Sequence, residues 1–468
     1  MKIEIKNLGV IKQAEFTLGE LTIICGHNNT GKTYATHATY GFFDFLRSGN
    51  IDFPVAGETL DQLFNDGSIC ISLTPYVEDL QKYLDKSAIN YSKMLHRIFA
   101  GSKHQFENSS LSFNLESQGP FTLTKIQTRI GSAEKDILQI QSSESLDALD
   151  ISLFVDKDRK DSDDLPPKHF IKERISNSIG DAILKAVIPK PFLASAERTG
   201  AAIFQKELDF TKNRLVELLG DKSAKITPFG LLSKFSGEYP IAVRKNVDFI
   251  RELSNIRNKE SFILKYHPDI LEAFQDIIGG EYKVSKDDEV QYIPSTNKSV
   301  KLSLVESSSA VRSLLDIGFY LRHVAAQGDL LMVDEPELNL HPENQRRVAR
   351  LFAKLVNIGI KVFITTHSDY ILKELNTLIM FNQDDKRLKM IAKKEKYDKS
   401  EFLDYKKICV YIAQKTQKKT DGAKRKTNCQ TLVPANIDEK SGIEVNSFDV
   451  TIEEMNRIQD EIIWGDDQ

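Results

Sequence analysis

A chain of 468 residues is too long for one ordinary compact core, so we expect two or three folding units. With 41% hydrophobic and 28% charged residues it has the composition of a globular protein, and its net charge of −4 excludes a general electrostatic attraction to nucleic acids or acidic membranes. No apolar run approaches the roughly 20 residues that cross a bilayer. The four cysteines are widely spread and contain no CxxC pair, which argues against a zinc site or a disulfide framework. Cysteines without such a framework are typical of a protein in the reducing cytoplasm.

The N-terminal elements are predicted from short periodicities. Alternation of apolar and polar residues predicts strands over 2–6, 13–17 and 20–25. After a turn that contains two glycines, apolar residues recur at three- and four-residue spacing and predict a helix over 32–46.

The middle of the chain is predicted to be mixed and then mainly helical. Residues 50–170 combine short helical and strand-like patterns. The helical patterns that follow cover 171–187, 202–219 and 243–256. Short strand patterns then lie near 282–284, 290–293 and 300–304.

The next hundred residues return to alternating helices and strands. A helix predicted over 309–326 leads to an apolar strand at 330–333, and a helix over 343–356 leads to another at 362–365. Apolar strands that alternate with helices predict an α/β fold with a mixed, largely parallel sheet.

The motifs described below lie at both ends of the chain, and they suggest how it is divided. We expect a head made of 1–50 and 300–385, an inserted region over 51–299, and a charged C-terminal extension over 386–468. Residues 386–426 carry fifteen Lys and Arg against five Asp and Glu, whereas 437–468 carry two against ten. Either these two segments are solvated and pair with each other, or the basic one binds nucleic acid or a partner.

A phosphate-binding loop is predicted between the third strand and the first helix. The sequence there matches G-x-x-x-x-G-K-[ST] at every fixed position and consists of Gly26, His27, Asn28, Asn29, Thr30, Gly31, Lys32 and Thr33. Backbone N–H groups of such a loop point at the phosphates of ATP. Lys32 is expected to bridge the β- and γ-phosphates, and Thr33 to place its hydroxyl on Mg²⁺. The pattern can arise by chance, but the strand before it and the helix after it favour the functional interpretation.

Two adjacent carboxylates follow the apolar strand at 330–333. Asp334 is expected to hold the magnesium shell through water, and Glu335 to polarise the attacking water or accept its proton. The plain alternative is a surface turn that caps the helix beginning near Glu343.

Residues 334–342, DEPELNLHP, and 365–368, TTHS, resemble the ATPase heads of the ABC type, the group that includes the RecF, SMC–Rad50 and OLD proteins. The opening IEIKNLG at 3–9 is similar too. The resemblance implies a P-loop ATPase head whose D-loop, Asn339 to His341, crosses a dimer interface. It also implies that His367 is a catalytic histidine that touches the γ-phosphate, although a histidine at the end of a strand is as often an ordinary polar terminus.

Two other assignments stay open. The signature loop of this group should precede the strand at 330–333, and its candidates are Ser308 and Ser309. These serines would bind the γ-phosphate of an ATP held by a partner subunit. The glycine of that loop is absent, and a serine N-cap is the plain alternative. The segment 194–200 resembles one in OLD-like ATPases, and its Arg198 could serve the nucleotide, a neighbouring group or a structural ion pair.

The sequence also resembles the ATPase subunits of two-component phage-defence systems, and it resembles that of Septu more closely than that of PARIS. The features in common are the compact head, the short insertion and the segments 442–448 and 455–464. This resemblance implies an ATP-hydrolysing sensor that assembles with itself and controls a separate nuclease or toxin. The alternative is a RecF-like repair ATPase that binds DNA directly. A self-contained nuclease is disfavoured because the 101 residues after His367 contain no Asp-x-Asp or HNH pattern.

Overall fold

The computed structural model describes residues 1–116, 122–131, 136–154, 166–204, 239–418, 425–444 and 454–462. Most of the predicted helix at 202–219, and parts of the tail segments 442–448 and 455–464 and of the basic stretch, lie outside these residues. The chain divides into two compact units: the first comprises 1–4, 39–94 and 110–191, and the second comprises 5–38, 95–109 and 192–468.

The helices of the described residues are short, apart from three of 16 to 20 residues. They are α1 Lys32–Arg47, α2 Gly57–Asp66, α3 Thr74–Glu78, α4 Leu80–Ser92, α5 Leu95–Ile98, α6 Lys103–Phe106, α7 Lys168–Val187, α8 Ile241–Arg251, α9 Leu253–Ile256, α10 Phe262–Tyr266, α11 Pro268–Ile278, α12 Ser309–Ser313, α13 Leu315–Phe319, α14 Pro342–Asn357, α15 Asp369–Met380 and α16 Lys386–Lys394. A π-helix spans Tyr320–Val324, and 3₁₀ turns span Lys399–Glu401 and Tyr405–Lys407.

The strands fall into one large sheet and several small ones. They are β1 Lys2–Leu8, β2 Ile11–Thr17, β3 Leu21–Cys25, β4 Ser68–Ser72, β5 Ser110–Asn114, β6 Gln127–Gly131, β7 Asp136–Ser142, β8 Ala148–Leu153, β9 Pro191–Ala194, β10 Gly280–Val284, β11 Val290–Pro294, β12 Leu302–Ser303, β13 Leu330–Asp334, β14 Lys361–Thr366, β15 Ile408–Lys418, β16 Thr427–Pro434, β17 Ile437–Asp438 and β18 Gly442–Ile443.

The second unit is built on a mixed sheet in which the strands lie in the order β1, β2, β16, β15, β3, β14, β13, β9. Strands β15, β3, β14 and β13 are parallel neighbours, and β16 runs antiparallel to β15. Strands β3, β13 and β14 are largely buried, and so is the apolar first half of β15, whereas its second half is polar and more exposed. This arrangement confirms the predicted α/β fold with a mixed, largely parallel sheet.

One layer on this sheet is formed by α14, whose buried side follows the helical repeat. Its apolar residues recur at spacings of three, four, seven and eight, so they form one face. They are Val348, Leu351, Phe352, Leu355 and Val356, and they belong to the same core cluster as the strand residues Ile23, Val333 and Ile364. The helix thus anchors the segment that joins β13 to β14.

The structure differs from the predicted division of the chain. Strands β15 and β16 lie within the segment predicted as a separate charged extension, yet β15 lies directly between β3 and β16 in the sheet. The charged flanks dominated the composition, whereas Ile408, Val410 and Ala413 are buried. Residues 192–299, predicted as part of the insertion, also belong to the second unit.

The helix predicted over 309–326 is interrupted. It consists of α12, α13 and the π-helix, with a break at Leu314, where φ is −103° and ψ is 4°. Periodicity alone could not reveal this break, because apolar residues continue at helical spacing on both sides of it.

The first unit contains a four-stranded antiparallel sheet in the order β4, β8, β7, β6. Its longest helix, α7, buries residues at four-residue intervals: Ile171, Ile175, Ile179 and Ile183. Among the described residues of the whole chain, none of the helices has the length and apolarity needed to cross a membrane.

Candidate nucleotide-binding and hydrolysis site

The sheet brings three predicted segments to one edge. Strands β3, β14 and β13 are parallel, with Cys25 in register with Thr366, and Thr365 in register with Asp334. The phosphate loop follows β3, His367 follows β14, and Glu335 follows β13. Ligands of open α/β sheets bind at this carboxyl edge, so the topology assembles the predicted site.

Two glycines of the phosphate loop are required by its geometry. Gly26 has a φ of 139°, and a Cβ there would lie 2.6 Å from the carbonyl oxygen of Ala413 on β15. Gly31 has a φ of 96°, and its Cβ would lie 2.6 Å from Cγ1 of Ile11. The loop therefore presses its backbone against neighbouring strands, which leaves no space for larger residues.

Lys32 lies beneath the loop and is 5% exposed. Its Nζ donates hydrogen bonds to the carbonyl oxygens of Gly26 and His27, both at 2.8 Å. Burial lowers the pKa of Lys32, while Glu335, Asp334 and Glu337 act in the opposite direction. The ammonium group is thus held at the inner side of the loop, and the carboxylates across the edge favour its charged form.

Asp334 is fully buried, and its two carboxylate oxygens have different surroundings. Oδ1 accepts a hydrogen bond from the hydroxyl of Thr365. Oδ2 has no hydrogen-bond partner and lies 3.6 Å from Nε2 of His37, whose pKa is lowered by burial. Mg²⁺ prefers oxygen ligands and is commonly held by one or two carboxylates plus substrate phosphates and water. The free oxygen of Asp334 and the hydroxyl of Thr33 fit that preference.

Glu335 occupies a strained turn at the end of β13. Its φ of 50° lies in the left-handed region, which costs about 1 kcal/mol for a residue other than glycine. Its amide donates to the carbonyl oxygen and the hydroxyl of Thr365, at 3.1 and 3.2 Å. Its side chain is 23% exposed, with Oε1 3.7 Å from Nδ1 of His367. The carboxylate therefore stays accessible to water while its backbone is fixed.

Glu337 is a site residue that the sequence analysis missed. It is 6% exposed, and its Oε1 accepts hydrogen bonds from the amide of His367 at 2.7 Å and from the hydroxyl of Thr366 at 2.9 Å. The same oxygen lies 3.2 Å from Nδ1 of His367. Burial raises the pKa of Glu337, and the contacts with His367 and Thr366 oppose that rise. Glu337 thus orients His367, which is 39% exposed. A second acidic residue two positions after Glu335 was the available signal.

Arg198, for which the sequence left several roles open, binds neighbouring backbone groups at the end of β13. Its side chain is 1% exposed and donates four hydrogen bonds to backbone carbonyl oxygens. These acceptors are Ser313 at 2.6 Å, Ser195 and Asp334 at 2.7 Å, and Glu335 at 2.9 Å. The guanidinium therefore braces the end of β13 from behind.

Comparison with known proteins decides the family. The model of the AAA ATPase domain matches residues 1–372. The chain belongs to the AAA ATPase domain family. This AAA ATPase accordingly binds and hydrolyses ATP, as the sequence analysis predicted. None of the curated proteins matches it.

Solved structures similar to this AAA ATPase include three heads of SMC proteins. One is an SMC head bound to the C-winged helix domain of ScpA, with 12% identity, 94% of this chain and 98% of that chain covered, and a TM-score of 0.34. The second is the SMC head domain from Thermotoga maritima, with 11% identity, 93% of this chain and 98% of that chain covered, and a TM-score of 0.27. The third is an SMC head with an extended coiled coil bound to the C-terminal domain of ScpA from Pyrococcus furiosus, with 12% identity, coverage of 98% and 98%, and a TM-score of 0.30.

Four of the residues predicted to lie at a dimer interface are exposed at the surface of this AAA ATPase, whereas Leu340, within the same predicted segment, is buried. Ser308 and Ser309 are exposed, and Oγ of Ser308 accepts a hydrogen bond from the amide of Val311 at 3.3 Å, as expected of an N-cap. Asn339 is exposed with a φ of 61°. His341 is exposed and caps α14, since its Nδ1 accepts from the amide of Glu343 at 3.3 Å. Their contact with a second subunit stays a prediction.

Proposed function

We propose that this ATPase works as a dimer of heads that clasps Mg²⁺–ATP between its subunits and uses hydrolysis to control a separate effector in anti-phage defence. The observation that carries the catalytic part is the convergence of Lys32, Asp334, Glu335 and His367 at one edge of the sheet. The role in defence rests on the resemblance described above, and the expected location in the cytoplasm rests on the cysteine pattern.

Each residue has a definite task in this proposal. Lys32 and the amides of the phosphate loop hold the β- and γ-phosphates. Thr33 and Asp334 would hold Mg²⁺, which neutralises charge on the phosphates. Glu335 accepts a proton from the attacking water, because it is the accessible carboxylate beside the loop. Glu337 holds His367 in place to contact the γ-phosphate.

The proposed site is shared between two subunits. One head supplies the phosphate loop, and the other supplies Ser308, Ser309 and the segment from Asn339 to His341. Ser308, Ser309, Asn339 and His341 are exposed, which is consistent with such contact. A single head then holds most of the nucleotide but lacks part of the catalytic environment.

Complementation tests the shared site. Ser309→Arg should leave ATP affinity within about twofold but lower hydrolysis by about 100-fold, because the bulky cation obstructs the facing site. Lys32→Ala protein should also be inactive. A one-to-one mixture of the two should regain up to about a quarter of the activity of the parent protein, since half of the dimers are mixed and each has one intact site.

The control for this experiment is a mixture of the two variants with distinguishable tags, so that mixed dimers can be counted. A mixture as inactive as its components, in the presence of mixed dimers, would reject the shared site. Size measurements with and without ATP would show whether the nucleotide drives dimerisation.

A second experiment separates the defence role from direct action on nucleic acid. Because the proposal assigns damage to a separate effector, the purified protein should not cleave DNA or RNA with Mg²⁺. Cleavage without a partner would refute this assignment.

The alternative, a RecF-like ATPase that binds DNA, is favoured by the exposed basic helix α16, which carries Lys386, Arg387, Lys389, Lys393 and Lys394. Salt-sensitive DNA binding that Lys393→Glu weakens would support the alternative.

A further inference from the structure

The guanidinium of Arg198 joins segments that are distant in sequence. Its Nη1 and Nη2 donate to the carbonyl oxygens of Asp334 and Glu335, and its Nε donates to the carbonyl oxygen of Ser313. Asp334 is 136 positions away along the chain, and Ser313 is 115. A planar guanidinium presents its donors in a fixed fork, so it holds these acceptors in one relative arrangement.

At the end of β13, Arg198 acts on the backbone that positions Glu335. The amide of Glu335 is bound by Thr365, and the carbonyl groups on either side of its Cα are bound by Arg198. The backbone there has a positive φ, a conformation that persists only where the surroundings hold it. Because the direction of a side chain follows from its backbone, these contacts decide where the carboxylate of Glu335 points.

On its other side, Arg198 binds the helix that begins at the predicted signature residues. Ser313 is the last residue of α12, and the helix is interrupted immediately after it at Leu314. Ser309 is its first residue, so the two ends of α12 are about 6 Å apart at a rise of about 1.5 Å per residue. A shift of the end that Arg198 holds therefore moves the end that carries Ser309.

Charges around Arg198 keep this contact in place. Asp316 on α13 is fully buried, and neither of its carboxylate oxygens has a hydrogen-bond partner. Burial raises the pKa of Asp316 to about 7, and the positive charge of Arg198 opposes that rise. Burial lowers the pKa of Arg198, while Asp316, Asp334, Glu337 and Glu335 favour its charged form. The cation is thus surrounded by carboxylates on both segments that it joins.

We propose that Arg198 is a positioning residue that aims Glu335 through its backbone and couples it to the helix carrying Ser309 in the same subunit. The coupling rests on the proposed shared site. In that dimer, Glu335 serves the nucleotide of its own subunit, whereas Ser309 serves the nucleotide of the other. Arg198 therefore links the two ATP sites of a dimer, and hydrolysis at one site depends on the state of the other.

The positioning role is tested with Arg198→Lys in the full chain. Lysine keeps the charge but not the fork, so kcat should fall by about 100-fold, the loss expected when a catalytic group is displaced by about 1 Å. KM for ATP should change by less than about threefold, because Lys32 and the phosphate loop are untouched. The matched control is Arg244→Lys on α8, where the side chain is exposed; its kcat should equal that of the parent protein.

A double-mutant cycle distinguishes positioning from a general structural role. If Arg198 acts through Glu335, then adding Arg198→Lys to Glu335→Gln protein should lower kcat by less than about threefold further, because there is no catalytic carboxylate left to misplace. Losses that multiply would overturn the proposal, as would an unchanged kcat in Arg198→Lys alone. Circular dichroism and thermal melting of each variant show that it is folded.

The coupling has its own readout in the dependence of hydrolysis on ATP concentration. The parent protein should give a sigmoidal curve, and Arg198→Lys a hyperbolic one. A curve of unchanged steepness in the variant would overturn the coupling, and so would a hyperbolic curve in a parent protein that passes the complementation test. Failure of complementation itself would count against the shared site and leave the kcat test of positioning intact.

Discussion

Replacing Lys32 with alanine should lower the affinity for ATP by about 100-fold or more. The structure places its ammonium group beneath the phosphate loop, where it is bound by the carbonyl oxygens of Gly26 and His27. Charge-assisted hydrogen bonds are worth about 1.5 to 3 kcal/mol each, and about 2.8 kcal/mol corresponds to 100-fold in affinity. Titration with a fluorescent ATP analogue, or calorimetry, measures the change directly.

A matched variant controls for the loss of a lysine. Lys12 on β2 is exposed, and Lys12→Ala should bind ATP as the parent protein does. Thermal melting should show that Lys32→Ala is folded, since the substituted side chain is small and the loop backbone is held by Gly26 and Gly31. Undiminished affinity in folded Lys32→Ala protein would refute the phosphate-loop assignment.

Glu335→Gln should keep ATP bound and lower its hydrolysis by about 10²- to 10⁴-fold. Glutamine has nearly the same shape and accepts the same backbone conformation, but it cannot take a proton from water. General base catalysis contributes a factor of this size. Single-turnover hydrolysis with radiolabelled ATP gives the rate, and nucleotide titration should give an affinity within about threefold of the parent value.

The control for this second variant is Glu272→Gln, which alters an exposed carboxylate on α11. It should hydrolyse ATP at the parent rate. Normal turnover by Glu335→Gln would move the catalytic role to another carboxylate. Glu337 would then be the first candidate, because it is buried and contacts His367.

Several features were predictable because they depend on neighbours in sequence. The phosphate loop requires two glycines and a lysine within eight residues, directly after a strand, and the sequence shows all of these in order. Strands β13 and β14 are short apolar runs, and the repeat of α14 marks its buried face. The role predicted for the acidic pair at 334 and 335 follows from its position at the end of an apolar strand.

Other features escaped because composition and periodicity pointed elsewhere. The strongly basic flanks of β15 suggested a solvated extension, and only pairing with β3 shows that it belongs to the central sheet. The apolar spacing of 309–326 suggested one helix, yet the helix that begins at Ser309 ends at Ser313. The carbonyl oxygen of Ser313 accepts a hydrogen bond from Arg198. Sequence patterns do not show which carbonyl groups a distant side chain will bind.

The amino-acid sequence alone was enough to identify a P-loop ATPase and to predict the elements of its nucleotide site: the phosphate loop, the adjacent carboxylates and the parallel strands that carry them. Local patterns suffice there, because the residues of each motif act together over a few positions. The groups that surround these elements become apparent only in the folded chain. His37 faces Asp334, Glu337 holds His367, and Arg198 braces the backbone of Glu335. These contacts join residues from 30 to 297 positions apart, and they form only when the sheet brings β3, β13 and β14 to a common edge.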